Sequence, residues 1–335
     1  MIFGPVALDA AEGCVLANSQ EVPGDLVRGG RLKKGIVLRA GDVAALRAAG
    51  LETVLAARLE SGDLSEDAAA ERLARALVPD PARAGLRLGQ AATGRVNVYA
   101  EAPGVVEVVA DRVHALNAVD PMITVATVPE WQRVGPRSMV ATVKIIAYAV
   151  PGAALEAACH AGQSALRLRP VVVKSAQLIQ TSVSGGEDGE KGQRVTAERL
   201  ARLGVTPGPV CVVRHAVDAL AEAIARVEAD VVLILTGSAT SDPLDVAPQA
   251  VRAAGGVVDS FGMPVDPGNL LFFGRLGDKP VIGLPGCARS PALNGADWVL
   301  ERLLCGVPLS AADVARMGVG GLLKEIPVRG RLREG

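Results

Sequence analysis

Residues 230–245 read DVVLILTGSATSDPLD, an aliphatic run followed by a loop of small and polar residues. The run Val231–Leu235 has the length of a strand, and an uninterrupted aliphatic run is typical of a strand that is covered on both faces. Asp230 precedes the run, and Thr236 and Gly237 follow it. The stretch therefore predicts a central strand of a parallel sheet, with a glycine-containing loop at its carboxyl end.

Strands and helices alternate on both sides of this strand. The pattern predicts strands at 176–181, 210–214 and 281–284, helices at 193–203, 217–227 and 292–304, and a glycine-rich loop, TSVSGGEDGEKG, at 181–192. Ser290 is the predicted N-cap of the last helix, Pro291 its first residue and Gly306 its stop. This order predicts an α/β fold, a doubly wound, mostly parallel sheet, over residues 166–310.

The remaining chain is predicted to form smaller segments: an N-terminal linker-type domain at 1–84, a small mixed α+β domain at 85–165, and a tail or linker at 311–335. In the first segment, Asp42 is the predicted cap of a helix over Val43–Ala49, and Gly50 ends that helix. A second helix is predicted from Ser65 to Leu77. Short β-branched runs around a helix at Ala110–Asn117 define the α+β segment.

Composition excludes several classes of function. Among 335 residues, 35 Lys and Arg balance 36 Asp and Glu, and only 2% are aromatic, which disfavours nucleic-acid binding. The chain shows no signal peptide and no membrane-length apolar run, so we predict a cytoplasmic protein. The five cysteines form no CxxC pair and are predicted to be reduced thiols, while the three histidines are too scattered to predict a metal cluster.

Three polar segments should meet where the parallel strands end: 181–192, 236–245 and 285–290. In parallel sheets, ligands bind beyond the carboxyl ends of the strands, where helix N-termini attract anions. Asp242 and Asp245 could hold magnesium there or accept from amino groups of a ligand. Alternatively, both carboxylates only cap a helix, since Asp242 precedes Pro243.

The segment 285–290, PGCARS, has the same two interpretations. Gly286 frees the backbone and Arg289 offers a fork for phosphate, or the segment is an ordinary strand-to-helix turn with a solvated arginine. Cys287 alone indicates a buried thiol rather than a nucleophile. The glycine-rich loop matches neither a P-loop nor a dinucleotide fingerprint.

These segments resemble a known family. TGSATSDPLDVAPQAV at 236–251 looks like the TGGTGxxxxDVTPxA signature of molybdopterin adenylyltransferases, with Asp245 on the signature aspartate, and SGGEDGEKG at 184–192 is similar to their glycine-rich loop. DKPVIGLPGCARSPALNG at 278–295 and GDVAALRAAGLETVL at 41–55 resemble segments of molybdopterin molybdenumtransferases. Four positions differ from the usual family residue. Glycine is replaced by Ser238 and Thr240, asparagine by Cys287, and aspartate by Glu190.

The resemblance implies a molybdopterin-binding protein of molybdenum cofactor biosynthesis. Such a protein would be a transferase that adenylylates molybdopterin or inserts molybdate. Alternatively, it would be a non-catalytic carrier or sensor module that works with a separate or fused nucleotidyltransferase. A third interpretation, independent of the resemblance, is a structural scaffold with another ligand. Asp245, as Mg²⁺ ligand, and Asp242 would be the catalytic residues. The implied ligand-binding residues are Ser184, Gly185, Gly186, Glu190, Thr236, Gly237, Ser238, Thr240, Pro285, Gly286, Arg289 and Ser290. If molybdate is inserted, the candidate cations for contacting it are Arg289, Lys144 and Arg95. ATP is a candidate co-substrate, and Mg²⁺ is a candidate cofactor. We expect a homo-oligomer by analogy with the family.

Overall fold

The computed structural model describes residues 1–185 and 189–323, and the chain divides into two compact units. The first unit comprises Met1–Glu101, Val106–Gln132 and Pro136–Leu168. The second comprises Ala102–Val105, Arg133–Gly135 and the chain from Arg169 onward. The division into the four segments predicted from the sequence stays a prediction.

Strands and short helices alternate through residues 1–170. The strands are β1 (Ile2–Ala7), β2 (Val15–Leu16), β3 (Gln20–Glu21), β4 (Arg31–Leu32), β5 (Thr53–Arg58), β6 (Asp63–Ser65), β7 (Leu86–Leu88), β8 (Arg95–Ala100), β9 (Gly104–Val108), β10 (Ile123–Thr127), β11 (Arg133–Val134), β12 (Met139–Ile145), β13 (Ala149–Pro151) and β14 (Leu166–Pro170). The helices are α1 (Ala40–Ala48), α2 (Glu66–Leu77), α3 (Pro81–Ala84), α4 (Ala110–Asn117) and α5 (Gly152–Ala161).

Two antiparallel sheets organise the first unit. Strands β1, β5 and β2 form one, and β10, β12, β8 and β7 form the other, against which α2 and α4 pack. The predicted helix at 110–117 is confirmed, as is the helix that starts after Ser65 and ends at Leu77. The predicted cap at Asp42 is wrong: the helix starts at Ala40, and Asp42, in its first turn, accepts from the N–H of Arg39 at 3.0 Å.

The second unit is built on a seven-stranded mixed sheet within the described residues. Its strands are β15 (Ser175–Ser182), β16 (Thr206–Pro207), β17 (Cys211–Arg214), β18 (Val231–Leu235), β19 (Val257–Phe261), β20 (Phe272–Leu276) and β21 (Lys279–Leu284). The order is β16-β15-β18-β21-β20-β19, and β17 also pairs with β15. The strands β15, β16, β17, β18 and β21 are parallel, whereas β19 and β20 pair antiparallel.

Both faces of this sheet are covered by helices. They are α6 (Glu190–Ala201), α7 (Val217–Ala225), α8 (Val246–Ala253), α9 (Gly295–Leu304) and α10 (Ala311–Arg316). Alternate residues of β18 enter two separate cores: Leu233 packs with Leu200 and Leu300, while Ile234 packs with Leu220 and Val251. This two-sided burial explains the uninterrupted aliphatic run that predicted the strand, and it confirms the α/β sheet.

The structure corrects two predictions at the end of the chain. The last long helix begins at Gly295 rather than at Ala292, and its cap is Asn294, whose side-chain oxygen accepts from the N–H of Ala296 at 3.0 Å. Ser290 instead follows a short 3₁₀ helix, Gly286–Arg289. Part of the predicted tail forms α10, which buries Val314 in the core; residues 324–335 lie outside the described residues.

All five cysteines are free, as predicted. Burial raises the pKa of Cys159 and Cys211, and it raises the pKa of Cys305 to about 12, so these three thiols stay protonated at neutral pH. No helix among residues 1–185 and 189–323 has the length and apolar character needed to span a bilayer.

A buried carboxyl group on α9 makes the stability of the second unit depend on pH. Burial raises the pKa of Glu301 from 4.5 to about 7, although the Arg133 guanidinium, 2.7 Å away, opposes the shift. A carboxyl whose pKa is raised by folding stabilises the protein fully below its unfolded pKa and loses that contribution as the pH rises through the folded pKa.

We therefore expect the free energy of unfolding to fall by up to about 2 kcal/mol between pH 4.5 and pH 8, relative to a Glu301→Gln variant. Urea unfolding of both proteins across this range measures the difference. Parallel curves for the two proteins would contradict the prediction.

Candidate functional site

The three predicted segments meet at the carboxyl ends of β15, β18 and β21. The N–H of Gly237, after β18, donates to Oγ1 of Thr181, at the end of β15, at 3.0 Å. The Arg289 guanidinium, after β21, donates to the carbonyl oxygen of Thr236 at 2.8 Å. Direct hydrogen bonds thus join the loops that follow three adjacent parallel strands.

Gly237 sits where the first two loops approach most closely. A Cβ at this position would lie 2.6 Å from the carbonyl oxygen of Thr181 and 3.3 Å from the nitrogen of Val183. Real Cβ atoms do not approach backbone oxygen so closely, so this position accepts only glycine without a backbone shift. The Thr181 hydroxyl also lies 2.8 Å from Nδ1 of His215, the residue after β17.

The loop after β18 is stabilised by its own hydroxyl groups. Thr236 donates to the carbonyl oxygen of Ser238 at 2.6 Å and lies 3.2 Å from the hydroxyl of Thr240. Both threonines are buried, whereas Ser238 is exposed. Thr240 therefore supports the loop from within, whereas Ser238 carries a hydroxyl that a ligand can reach.

Asp242 and Asp245 bind backbone N–H groups of the same loop. Asp242 accepts from Leu244 at 2.7 Å. Asp245 is the N-cap of α8: one carboxylate oxygen accepts from Val246 at 2.7 Å and the other from Ser241 at 3.1 Å. The geometry matches the capping interpretation of Asp245.

Asp245, the predicted metal ligand, is engaged within its own loop. Each oxygen of Asp245 already accepts a backbone N–H, and the described residues contain no group of three His, Cys, Asp or Glu side chains that could hold a metal. The assignment of Asp245 as a metal ligand stays a prediction.

The cap gives a direct stability prediction. Asp245→Ala removes both acceptors and should lower the free energy of unfolding by about 1 kcal/mol. Asp245→Asn keeps a capping oxygen and should lower it by only a few tenths of a kcal/mol. Chemical denaturation of the three proteins tests this difference. Equal losses in the two variants would show that the carboxylate charge, rather than the cap, stabilises the loop.

The glycine-rich loop follows β15. The hydroxyl of Ser182 accepts from the N–H of Gly185 at 2.9 Å, and Gly185 adopts a φ of +76°, which favours glycine. Ser184 and Gly185 are exposed, and Glu190 is the first residue of α6. The predicted ligand residue Gly186 lies outside the described residues.

The loop after β21 presents its backbone and one cation. Pro285 is buried, Gly286 and Cys287 are exposed, and Arg289 is half-buried. Cys287 is thus exposed where the sequence indicated a buried thiol, and its sulfur accepts from Nδ2 of Asn294 at 3.0 Å. Arg289 is not an ordinary solvated arginine, because one of its nitrogens is fixed on Thr236.

Two candidate cations for molybdate lie in the first unit. Lys144 and Arg95 are register partners on β12 and β8. The Lys144 ammonium donates to the carbonyl oxygen of Thr93 and lies 3.9 Å from Glu66, whose pKa burial raises. Lys144 is therefore already engaged within its own unit.

Sequence reasoning missed a buried ion pair beside the site. Arg199 on α6 and Asp297 on α9 are 5% and 3% exposed, and Nε of the arginine donates to the aspartate at 2.6 Å. Arg199 falls four residues after Val195 and one before Leu200, on the apolar face of α6. A charged residue at a core position of the helical period was the signal that could have revealed it.

Comparisons with known proteins agree with this geometry. Residues 181–304 match the family described as "Probable molybdopterin binding domain". Residues 5–58 match a family described only as a domain of unknown function. A search of curated proteins found no match.

Several solved structures are similar to the chain. They include a molybdopterin biosynthesis MoeA protein from Pyrococcus horikosii, with 13% identity and a TM-score of 0.32 over 94% of this chain and 77% of that one. A molybdopterin biosynthesis protein from Mycobacterium abscessus has 16% identity and a TM-score of 0.29, over 40% of this chain and 93% of that one. MogA has 22% identity and a TM-score of 0.28, over 40% of this chain and 97% of that one.

Proposed function

We propose that the second unit binds molybdopterin where β15, β18 and β21 end, and that the protein acts in molybdenum cofactor biosynthesis. The observation that supports this most is the pair of hydrogen bonds from Gly237 to Thr181 and from Arg289 to Thr236. They join the three loops whose sequences resemble molybdopterin-binding motifs, within the part of the chain that matches the molybdopterin-binding family.

The chemistry of these loops suits a ligand with a phosphate and a polar heterocycle. Arg289 uses one N–H on Thr236 and retains further donors of its guanidinium for phosphate oxygens. Gly286 is exposed, and the Arg289 guanidinium lies 3.7 Å from its Cβ position, so a ligand can approach the backbone beside this cation. The exposed hydroxyls of Ser184 and Ser238 can bind the amino and carbonyl groups of a pterin.

We favour binding without turnover over transfer chemistry. Transfer of a nucleotidyl group needs charge neutralisation around the phosphates, commonly by a metal ion. The two aspartates that would hold this ion bind backbone N–H groups of their own loop. A carrier or sensor that presents molybdopterin to a nucleotidyltransferase needs no such ion, and a transferase is the second candidate.

One incubation separates the two functions. The purified chain is mixed with molybdopterin, MgATP and, in a parallel sample, molybdate; retained pterin, adenylylated product and molybdenum-loaded product are then measured. Retention without product supports the carrier. Either product supports the transferase, and no retention in any sample contradicts molybdopterin binding.

Arg289 gives the matched prediction for the site. Arg289→Ala should weaken molybdopterin binding about 10-fold or more, because a charge-assisted bond to phosphate is lost. Arg275→Ala is the control, since Arg275 pairs with Asp259 on β19 at 2.8 Å and its loss should leave affinity unchanged. Equal affinity of both variants, measured by fluorescence of the bound pterin, would exclude a ligand contact at Arg289.

A further inference from the structure

Arg199 lies behind the loop after β21, at the end of a buried polar network. Besides Asp297, its guanidinium donates to the carbonyl oxygens of Ala288 at 2.7 Å, Ser290 at 2.8 Å and Ala292 at 3.2 Å. One side chain of α6 therefore fixes three carbonyl groups within five residues of the loop, on both sides of Arg289.

The same network closes the far end of the loop. Asp297 accepts from Arg199 with one oxygen and from the N–H of Asn294 with the other, at 2.8 Å. Asn294, which is 1% exposed, donates to Cys287 at 3.0 Å and accepts from Ala296. The loop is thus held at its start, middle and end by buried groups that no ligand at the exposed surface can touch.

A loop of this kind needs an internal scaffold because its residues form no strand pairing. The buried carbonyl oxygen of Ala288 would have no partner if Arg199 were absent, at a cost of about 1–3 kcal/mol, and the carbonyl oxygens of Ser290 and Ala292, which belong to exposed residues, would lose the donor that fixes them. An arginine is suited to the task because its planar fork offers five donors in fixed directions. A lysine offers a single nitrogen and cannot reach all three carbonyls in this geometry.

We propose that Arg199 is a positioning residue, which sets the conformation of residues 286–292 and thereby aims Arg289 at the ligand. This inference rests on the proposed molybdopterin site. The coupling continues beyond the loop, because Arg289 donates to Thr236, the first residue of the loop after β18. Arg199 therefore controls two of the three ligand loops without contacting the ligand.

The test uses three variants of the full chain. Arg199→Lys keeps the positive charge but loses most of the carbonyl bonds. Leu200→Ala removes a buried side chain from the same helix, which lowers stability, and leaves every hydrogen bond of Arg199 in place. Arg194→Lys is the control, because Arg194 lies on the same helix and forms an exposed pair with Glu198.

Two measurements are made on each protein: amide hydrogen exchange of residues 286–293 without ligand, and the dissociation constant for molybdopterin. We expect Arg199→Lys to exchange at least about 10-fold faster in this loop and to bind at least about 10-fold more weakly. Leu200→Ala should lose stability but keep both loop exchange and affinity near wild type, and the control should change neither.

If Arg199 had a purely structural role, affinity would fall together with stability in both Arg199→Lys and Leu200→Ala. That result would overturn the proposal. Faster loop exchange in Arg199→Lys with unchanged affinity would also overturn it. If Arg199→Lys does not fold, Arg199→Gln, which keeps two donors, takes its place. If the wild-type protein binds no molybdopterin, the proposed function fails, while the exchange data still decide whether Arg199 positions the loop.

Discussion

Gly283→Ala is expected to lower the free energy of unfolding by about 2–3 kcal/mol. Gly283 lies on β21 directly opposite Phe272 of β20, and the phenyl ring covers the glycine. A Cβ at this position would lie 1.9 Å from one ring carbon and 2.2 Å from the next. Phe272 is buried in the core, so its ring can move only by displacing its neighbours, and overpacking of this kind typically costs about 1–3 kcal/mol.

The control for this prediction is Gly4→Ala on β1, where nothing lies within 4 Å of the Cβ position. That change should alter stability by less than about 0.5 kcal/mol. Adding Phe272→Leu to Gly283→Ala should recover part of the loss, because a smaller side chain leaves room for the methyl group. Chemical denaturation measures all three proteins. A loss below 1 kcal/mol for Gly283→Ala would mean that the ring moves freely.

The sequence predicted the second unit well where a pattern has a single physical meaning. Five consecutive aliphatic residues at Val231–Leu235 can be buried only between two layers, and both the strand and its two-sided burial are confirmed. It did not predict β19 and β20, which complete the sheet in antiparallel orientation. Residues 257–261 are half exposed and Gly274 interrupts the second strand, so neither segment has a strong period.

The caps were harder to predict because several residues in a row could serve. In SPALN, at 290–294, both Ser290 and Asn294 are good caps, and Ser290 is followed by proline. Asn294 is the cap in the structure, because the carboxylate of Asp297, three residues later, accepts a hydrogen bond from the N–H of Asn294. This capping box depends on the buried position of Asp297, which Arg199 neutralises from another helix.

The candidate site shows the same limit. The positions of Thr236, Gly237 and Arg289 follow from the rule that ligands bind beyond the ends of parallel strands, and hydrogen bonds do join their loops. The network beneath them could not be predicted, because Arg199 and Asp297 are separated by 98 residues in sequence. A charged residue on an apolar helix face indicates that a partner is required, but it does not indicate which residue is the partner.

Asp297→Ala is expected to lower the free energy of unfolding by about 3–5 kcal/mol. The change leaves the Arg199 guanidinium buried without its carboxylate and removes one half of the capping box of α9. For comparison, Asp218→Ala breaks an exposed pair with Arg214 and should cost at most about 0.5 kcal/mol.

The double variant Arg199→Met, Asp297→Leu separates two causes of this loss. Replacing both members of a buried ion pair by apolar residues is often neutral, because neither charge is then left in the interior. Here the three loop carbonyls would still lose their donor, so the double variant should recover only part of the stability lost by Asp297→Ala. Urea unfolding of the single and double variants measures both contributions. Full recovery would mean that the loop carbonyls find water or other donors, and that Arg199 acts on stability through its charge alone.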